Sequence, residues 1–480
     1  TGDWWVFTDV IDGSNDYGHL NQASAFGNSA NNVATDSVFN VGGVLNTSGA
    51  TYVAYLFAHN DGDGDFGPTG DQDIIKCGSY TGTGAAGNFI DLGFEPQWVF
   101  YKRTDGANSW VLQDNMRGMS HTSRDFLYAN SSGAEQSSTL TAGAKADPNG
   151  FILDLTGGDH NASGGEYIYI AIRRGPLAVP EDATEVFKAS LGDSTVPGYD
   201  APFAVDMAFN RYKISTAGNT IYSRLTGPET LATSSTRAAS SDSSGAWDYM
   251  DGWYDSGRSS DFISWMWKRA PGFFDAVAFS GNSTAGRTVS HNLGVAPEMM
   301  WVKSRDLGNS IRNWCVYHTG TGNTKSSFLN LTDTPITSIN FWNNTDPTDA
   351  SFSLGAANAV NTSGEDYIAY LFASAPGVSK VGSYTGNGTS QTIDCGFTSG
   401  ARFILIKRTN GNGSWFIWDT ERGINAGSDP YLELNTSDAE SPGQDEIDAH
   451  SSGFIISSPG GAGDAEINKS GSTYIFYAIA

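Results

Sequence analysis

"GSYTGNGTSQTIDCGFTSGARFILIKRT", residues 382–409, decides the fold because the chain says it more than once. Residues 78–104 read "GSYTGTGAAGNFIDLGFEPQWVFYKRT", and residues 278–305 read "AFSGNSTAGRTVSHNLGVAPEMMWVKSR". Each version is a short apolar run, a Gly-rich turn, a second run, another turn, and a third run rich in aromatic and β-branched residues. Those compositions favour strands. The runs are too short for buried helices, which need about ten residues or more. A more eroded version, "VFKASLGDSTVPGYDAPFAVDMAFNR", covers 186–211.

Working outward, a second landmark follows each version. "SWVLQDNMRG" places Trp110, Asp114 and Gly118 at a spacing of four and four, and "SWFIWDTERG" does the same with Trp415, Asp419 and Gly423. "NWCVYHTGTG" has Trp314, His318 and Gly322, and "NTIYSRLTG" has Asn219, Ser223 and Gly227. The chain opens on the same pattern, with Trp5, Asp9 and Gly13. From Trp5 the successive intervals are 110 − 5 = 105, 219 − 110 = 109, 314 − 219 = 95 and 415 − 314 = 101. A period near 100 residues is long enough for each unit to bury a core of its own. A third landmark is an apolar run: "YVAYLFA" (52–58), "YIYIAIR" (167–173), "FISWMWK" (262–268), "YIAYLFA" (367–373) and "YIFYAIA" (474–480). Turns such as "NTSGED" precede these runs.

The expected organisation is therefore a truncated first repeat at 1–58, an acidic linker at 59–75, repeat 2 at 76–174 and a Pro-containing linker at 175–184. Repeat 3, degenerate, follows at 185–270, repeat 4 at 271–376 and repeat 5 at 377–480. Residues 1–58 match only the latter half of a repeat, so upstream residues or other strands are expected to complete it. The expected fold is all-β: tandem antiparallel β-sandwiches of jelly-roll or lectin-like type, with a β-propeller as the alternative. Pro-containing junctions at 270–272 and 375–377 suggest beads on a stiff, extended rod.

Lys and Arg number 27 against 52 Asp and Glu, a net charge of −25. A surface so acidic repels phosphate backbones, which excludes nucleic acid and anionic membrane as partners. No apolar run is long enough to span a membrane. Cys77, Cys315 and Cys395 make neither a disulfide framework nor a metal motif, and read as small core residues.

Few residues carry candidate chemistry. Residues four apart on a strand share a face, so Trp5 with Asp9, Trp110 with Asp114, Trp314 with His318 and Trp415 with Asp419 could line a sugar-binding surface. The structural alternative is a core Trp and an Asp that closes the following turn. His318 and Ser223 in the Asp position suit turn capping and not catalysis. In "HNDGDGDFGPTGDQD" (59–73), Asp61, Asp63 and Asp65 alternate as in the first half of a calcium loop, with Asp71 as a further candidate ligand for Ca²⁺. Phe66 occupies the place of the loop Gly, and the closing Glu is missing; a solvated acidic loop is the alternative. Asn46, Asn161, Asn361 and Asn468 stand in N-x-S sequons on the repeated turn, where their own turn hydrogen bonds also explain them. No catalytic constellation rises above chance, so the chain is read as a non-enzyme.

The landmark string from 382 to 480, with "KRAPGFFDAVAFSGNSTAGRTVSHNLGVAPEMMWVKSR" (268–305), resembles a repeat domain of bacteriophage tail and tail-fibre proteins, many of them marine. The resemblance covers repeats 2, 4 and 5 well, repeat 3 poorly and repeat 1 in its latter half. It implies a structural protein of the virion surface: a tail fibre or appendage recognising host cell-surface polysaccharide, assembled with itself (by analogy as a trimer) and with other virion proteins. The alternatives are a secreted bacterial carbohydrate-binding adhesin and a decoration protein without receptor binding.

Overall fold

The computed structural model describes every residue except 1, 30–33, 61–69, 71, 123, 137–142, 176–177, 217–218, 243, 307–311, 425–426, 443–444 and 458–466. The chain forms two compact units, Thr1–Gly175 and Pro176–Ala480.

Repeat 5 gives the plan. Its larger sheet runs, in spatial order, Ser379–Thr385, Thr473–Ile479, Phe403–Arg408, Trp415–Asp419 and Leu432–Glu433; the smaller runs Gln391–Asp394, Gly453–Ile456 and Ile447–His450. All pairings are antiparallel. The first strand pairs with the last in one sheet, and the second with the second-last in the other. This nested pairing is the wiring of a jelly roll. Repeats 2, 3 and 4 share it, so the degenerate third copy has lost sequence but not topology. The architecture is all-β sandwich, without propeller blades.

The last strand of each complete repeat lies at the centre of its larger sheet. In repeat 4, Asp366–Phe372 sits between Phe274–Ser280 and Met299–Ser304. Side chains alternate across the sheet. Met300, Val302, Ala369 and Leu371 enter the sandwich core with Phe352 and Leu354 of the opposite sheet. Met299, Trp301, Lys303 and Tyr370 point the other way and are equally buried, at 3% exposure or less. A sheet buried on both faces must have a second partner.

In the second unit that partner is another repeat. Repeats 3, 4 and 5 close into a three-member ring, each packing against both others. Aromatic rings from all three meet where the larger sheets converge: Trp267 and Phe403 have centroids 5.6 Å apart, Phe372 and Tyr477 5.1 Å, and Trp267 and Phe274 6.4 Å. These repeats are therefore not independent beads on a rod. The continuous apolar runs, which break the in-out alternation of a half-exposed strand, are what this double burial requires.

Candidate functional site: the repeat seams and a polar groove

Equivalent residues build the three seams of the ring. The indole N–H of Trp415 donates to the carbonyl of Phe328 at 2.9 Å, and that of Trp314 donates to the carbonyl of Ala232 at 2.9 Å. At the third seam the Trp position is Asn219, whose amide donates to the Leu434 carbonyl at 3.2 Å. One backbone bond accompanies each: Gly413 N–H to Thr332 O, Ala239 N–H to Arg305 O, and Glu440 N–H to Lys213 O. The first unit has a seam of the same kind, the indole N–H of Trp110 donating to the His19 carbonyl at 2.9 Å.

A buried cation marks each seam as well. Lys407 and Lys303 are fully buried. Each ammonium donates to the next residue's carbonyl, Arg408 or Ser304, and across the seam to Thr332 or Thr236. Burial pushes both down to about 8. Arg211 takes this place in repeat 3 and reaches the carbonyls of Thr436 and Asp438.

The Trp-to-Asp pattern therefore belongs to the seams. Asp419 is fully buried; one carboxylate oxygen accepts from the Arg422 backbone N–H at 2.9 Å. The other accepts from the Arg422 guanidinium at 2.6 Å and from the Trp265 indole at 3.0 Å. His318, also buried, replaces this carboxylate in repeat 4. Its Nδ1 accepts from the Gly320 N–H at 2.9 Å, and its Nε2 faces the Phe476 carbonyl at 3.3 Å. Those partners fix a neutral ring protonated on Nε2, and burial pulls its pKa down to about 4. Trp314 and Trp415 are shut away from solvent. These positions offer no sugar surface in repeats 4 and 5. In the first unit Asp114 makes the same turn with Arg117 but stays partly open, Trp5 is half-buried and Asp9 is exposed.

Asp61, Asp63, Asp65 and Asp71 lie outside the described residues. Among the described residues no cluster of three or more His, Cys, Asp or Glu could hold a metal ion. The sequon residues Asn161, Asn361 and Asn468 are almost wholly buried. Asn361 accepts from Asn282 N–H and donates to the carbonyls of Thr284 and Gly355. Asn161 and Asn468 make matching bonds. Buried and fully used, these amides cannot carry glycan. Sequence reasoning also passed over a second repeated Asn: Asn130, Asn330 and Asn435 each accept from the backbone N–H of the signature Trp.

Beside the seam between repeats 4 and 5 lies an open groove of about 520 Å³. Repeat 4 contributes Gly320, Thr321, Lys325 and Pro335, and repeat 5 contributes the ends of its first and last strands and the turn at Thr409–Asn410. The approach is close: a Cβ at Gly320 would meet Ile475 and Ser383 at 3.1 Å. Thr409 Oγ1 bonds Thr473, and Asn410 donates to Gly471 O and accepts from Thr473 N–H. Tyr384 is stacked on Tyr474, with centroids 4.9 Å apart and planes 12° from parallel. The lining holds hydroxyls, one amide, one lysine and an aromatic pair, but neither a carboxylate nor an imidazole. Such a surface can hold a polyhydroxylated ligand.

Fold and seams define the class: a multi-repeat antiparallel β-sandwich protein whose repeats assemble within one chain. The chain belongs to the family described as a domain of unknown function, DUF7483, which matches residues 1–176 and 209–480. No curated protein and no solved structure matches it.

Proposed function

We propose that this is a structural virion protein of a bacteriophage, a tail fibre or appendage that contacts host cell-surface polysaccharide through grooves beside its repeat seams. The reading starts from the resemblance of repeats 2, 4 and 5 to phage tail domains. The observation that carries the glycan part is the groove lined by Thr321, Lys325, Tyr384, Thr409 and Asn410. Hydroxyls and amides exchange hydrogen bonds with sugar hydroxyls, and the lysine suits an acidic polysaccharide. The ring gives these side chains a rigid frame, as a binding site requires.

The test is an adsorption block. Purified protein is incubated with susceptible cells before phage is added, and free phage are counted. Dose-dependent loss of adsorption, relieved by Asn410→Ala with Lys325→Ala, supports the reading. Unchanged adsorption by a protein that is present in purified virions refutes receptor binding and leaves a scaffold or decoration role. Absence from virions refutes the phage assignment.

A further inference from the structure

The three seams of the ring are built alike and differ at one place. Thr233, Leu329 and Leu434 donate their backbone N–H to the carbonyls of the signature residues Asn219, Trp314 and Trp415, which aligns the three repeats. Three residues earlier, Thr230, Ser326 and Tyr431 pair with Ser240, Ile336 and Ser441. The residues just before those partners are Ala239, Pro335 and Glu440, so these three hold one position. On the other side of the seams, Arg305, Thr409 and Lys213 are equivalent. Each donates its backbone N–H at the start of its repeat's terminal strand, to the carbonyl of Asp366, Thr473 or Asp261.

Two seams are bridged between these positions. Ala239 N–H donates to Arg305 O, and Glu440 N–H donates to Lys213 O. At the seam of repeats 4 and 5 the donor position is Pro335, which has no N–H to give. Pro335 and Thr409 instead line the groove. The backbone bond of this seam, Gly413 N–H to Thr332 O, comes from a different segment. The opening therefore lies where a proline leaves the seam unbridged.

The side chains differ in the same sense. Glu229 pairs with Ser241 and Lys325 with Thr337, so Glu229 and Lys325 hold one position. At the seam of repeats 3 and 4, Glu229 and Arg305 meet in an ion pair at 2.6 Å. At the seam of repeats 4 and 5 the same two places are Lys325 and Thr409, both in the groove lining. The acid has become an amine, and the arginine has become a hydroxyl. Lys325 is exposed, and the lining holds no carboxylate.

We propose that this opening selects a negatively charged saccharide, with Lys325 setting the preference for charge and Pro335 keeping the groove from being bridged. A carboxylate or sulfate on the sugar brings to Lys325 the counter-ion that Arg305 receives from Glu229. Thr321, Thr409 and Asn410 are left to exchange hydrogen bonds with sugar hydroxyls. This inference rests on the glycan reading and adds to it the sign of the ligand and the residue that reads it.

The test uses the full chain on an array of neutral, carboxylated and sulfated oligosaccharides, with calorimetry on the members that bind. Acidic members should bind and be weakened by added salt. Lys325→Gln should weaken them by about 10-fold and erase their advantage over neutral ones. The carboxylated and sulfated arms show which anion is preferred. A triple variant, Lys325→Glu with Thr409→Arg and Pro335→Ala, transplants the residues of the bridged seam and should abolish binding without lowering the thermal midpoint. If neutral members bind as tightly as acidic ones and Lys325→Gln changes nothing, the charge assignment fails while the glycan reading stands. If no member binds, both fail. A folded triple variant that binds like the parent also overturns the proposal, because the groove is then not the site. Should the triple variant misfold, Lys325→Gln decides alone.

Discussion

Acid should open the ring of repeats at one identifiable place. His318 is buried against repeat 5, with Nδ1 accepting from Gly320 N–H and Nε2 facing Phe476 O. Protonation would set an N–H on Nδ1 against the Gly320 N–H and bury a charge that has no carboxylate partner. Its value of about 4 in the folded chain lies below the ordinary 6.5. A group depressed in this way stabilises the fold fully above 6.5, and the contribution is lost as pH falls toward 4, because the unfolded chain binds the proton first. That depression corresponds to about 3 kcal/mol once both forms are protonated, and to about 2 kcal/mol at pH 5. Carboxylates and other histidines titrate nearby, so the quantity to measure is a difference. Urea unfolding of the second unit is followed from pH 7 to 4.5 in the parent and in His318→Gln, which keeps a donor toward Phe476. The parent should lose about 2 kcal/mol more than the variant between pH 7 and 5. Parallel curves would refute the buried neutral imidazole and its role in the seam.

Other outcomes follow from the same contacts. Trp415→Ala empties a fully buried site and removes the bond to Phe328 O, and should destabilise the second unit by about 3–5 kcal/mol in chemical denaturation. Asn361→Ala leaves the Asn282 N–H and the Gly355 carbonyl without their partner and should cost about 2–3 kcal/mol; intact-mass measurement after expression in a glycosylating host should find no glycan on Asn161, Asn361 or Asn468. Lys407, at about 8 when folded against 10.5 when free, makes the unfolded chain the better proton binder between those values, so its contribution grows as pH rises. Relative to Lys407→Met, the parent should gain about 1–2 kcal/mol between pH 8 and 9.5. Gly320→Val places methyl groups where Ile475 and Ser383 already stand at 3.1 Å from a Cβ, and should lower the thermal midpoint of the second unit, read by calorimetry.

The sandwich could be read from the chain because its landmarks recur in a fixed order: the Gly-rich hairpins, the Trp strand, the closing apolar run. Local turn chemistry and period-two strands carry that information. The ring could not be read so directly, since Trp415 or Tyr477 buried between repeats is chemically the same as a residue buried within one. One signal was present: "YIAYLFA" and "FISWMWK" do not alternate, and unbroken apolar strands mean burial on both faces. Lys303 and Lys407 recur at one position, yet a lysine in a strand reads as solvated until its carbonyl partners are seen. The sequons misled in the opposite way, because Asn in N-x-S serves an internal turn as readily as a glycan. The groove beside Gly320 is assembled from segments far apart in the chain, and no local pattern announces it.

A ring made from one chain also differs from a ring of three identical chains in how it can change over time. In the symmetric case every substitution is made three times at once, so each seam must tolerate it together. Here the seams are separately encoded, and they have drifted apart. One uses Trp415 and Lys407 with His318, the next Trp314 and Lys303, and the third Asn219 and Arg211 with Asp419. Each can settle its own compensating partners, so one side of the ring can acquire a new surface while the other two keep the scaffold standing.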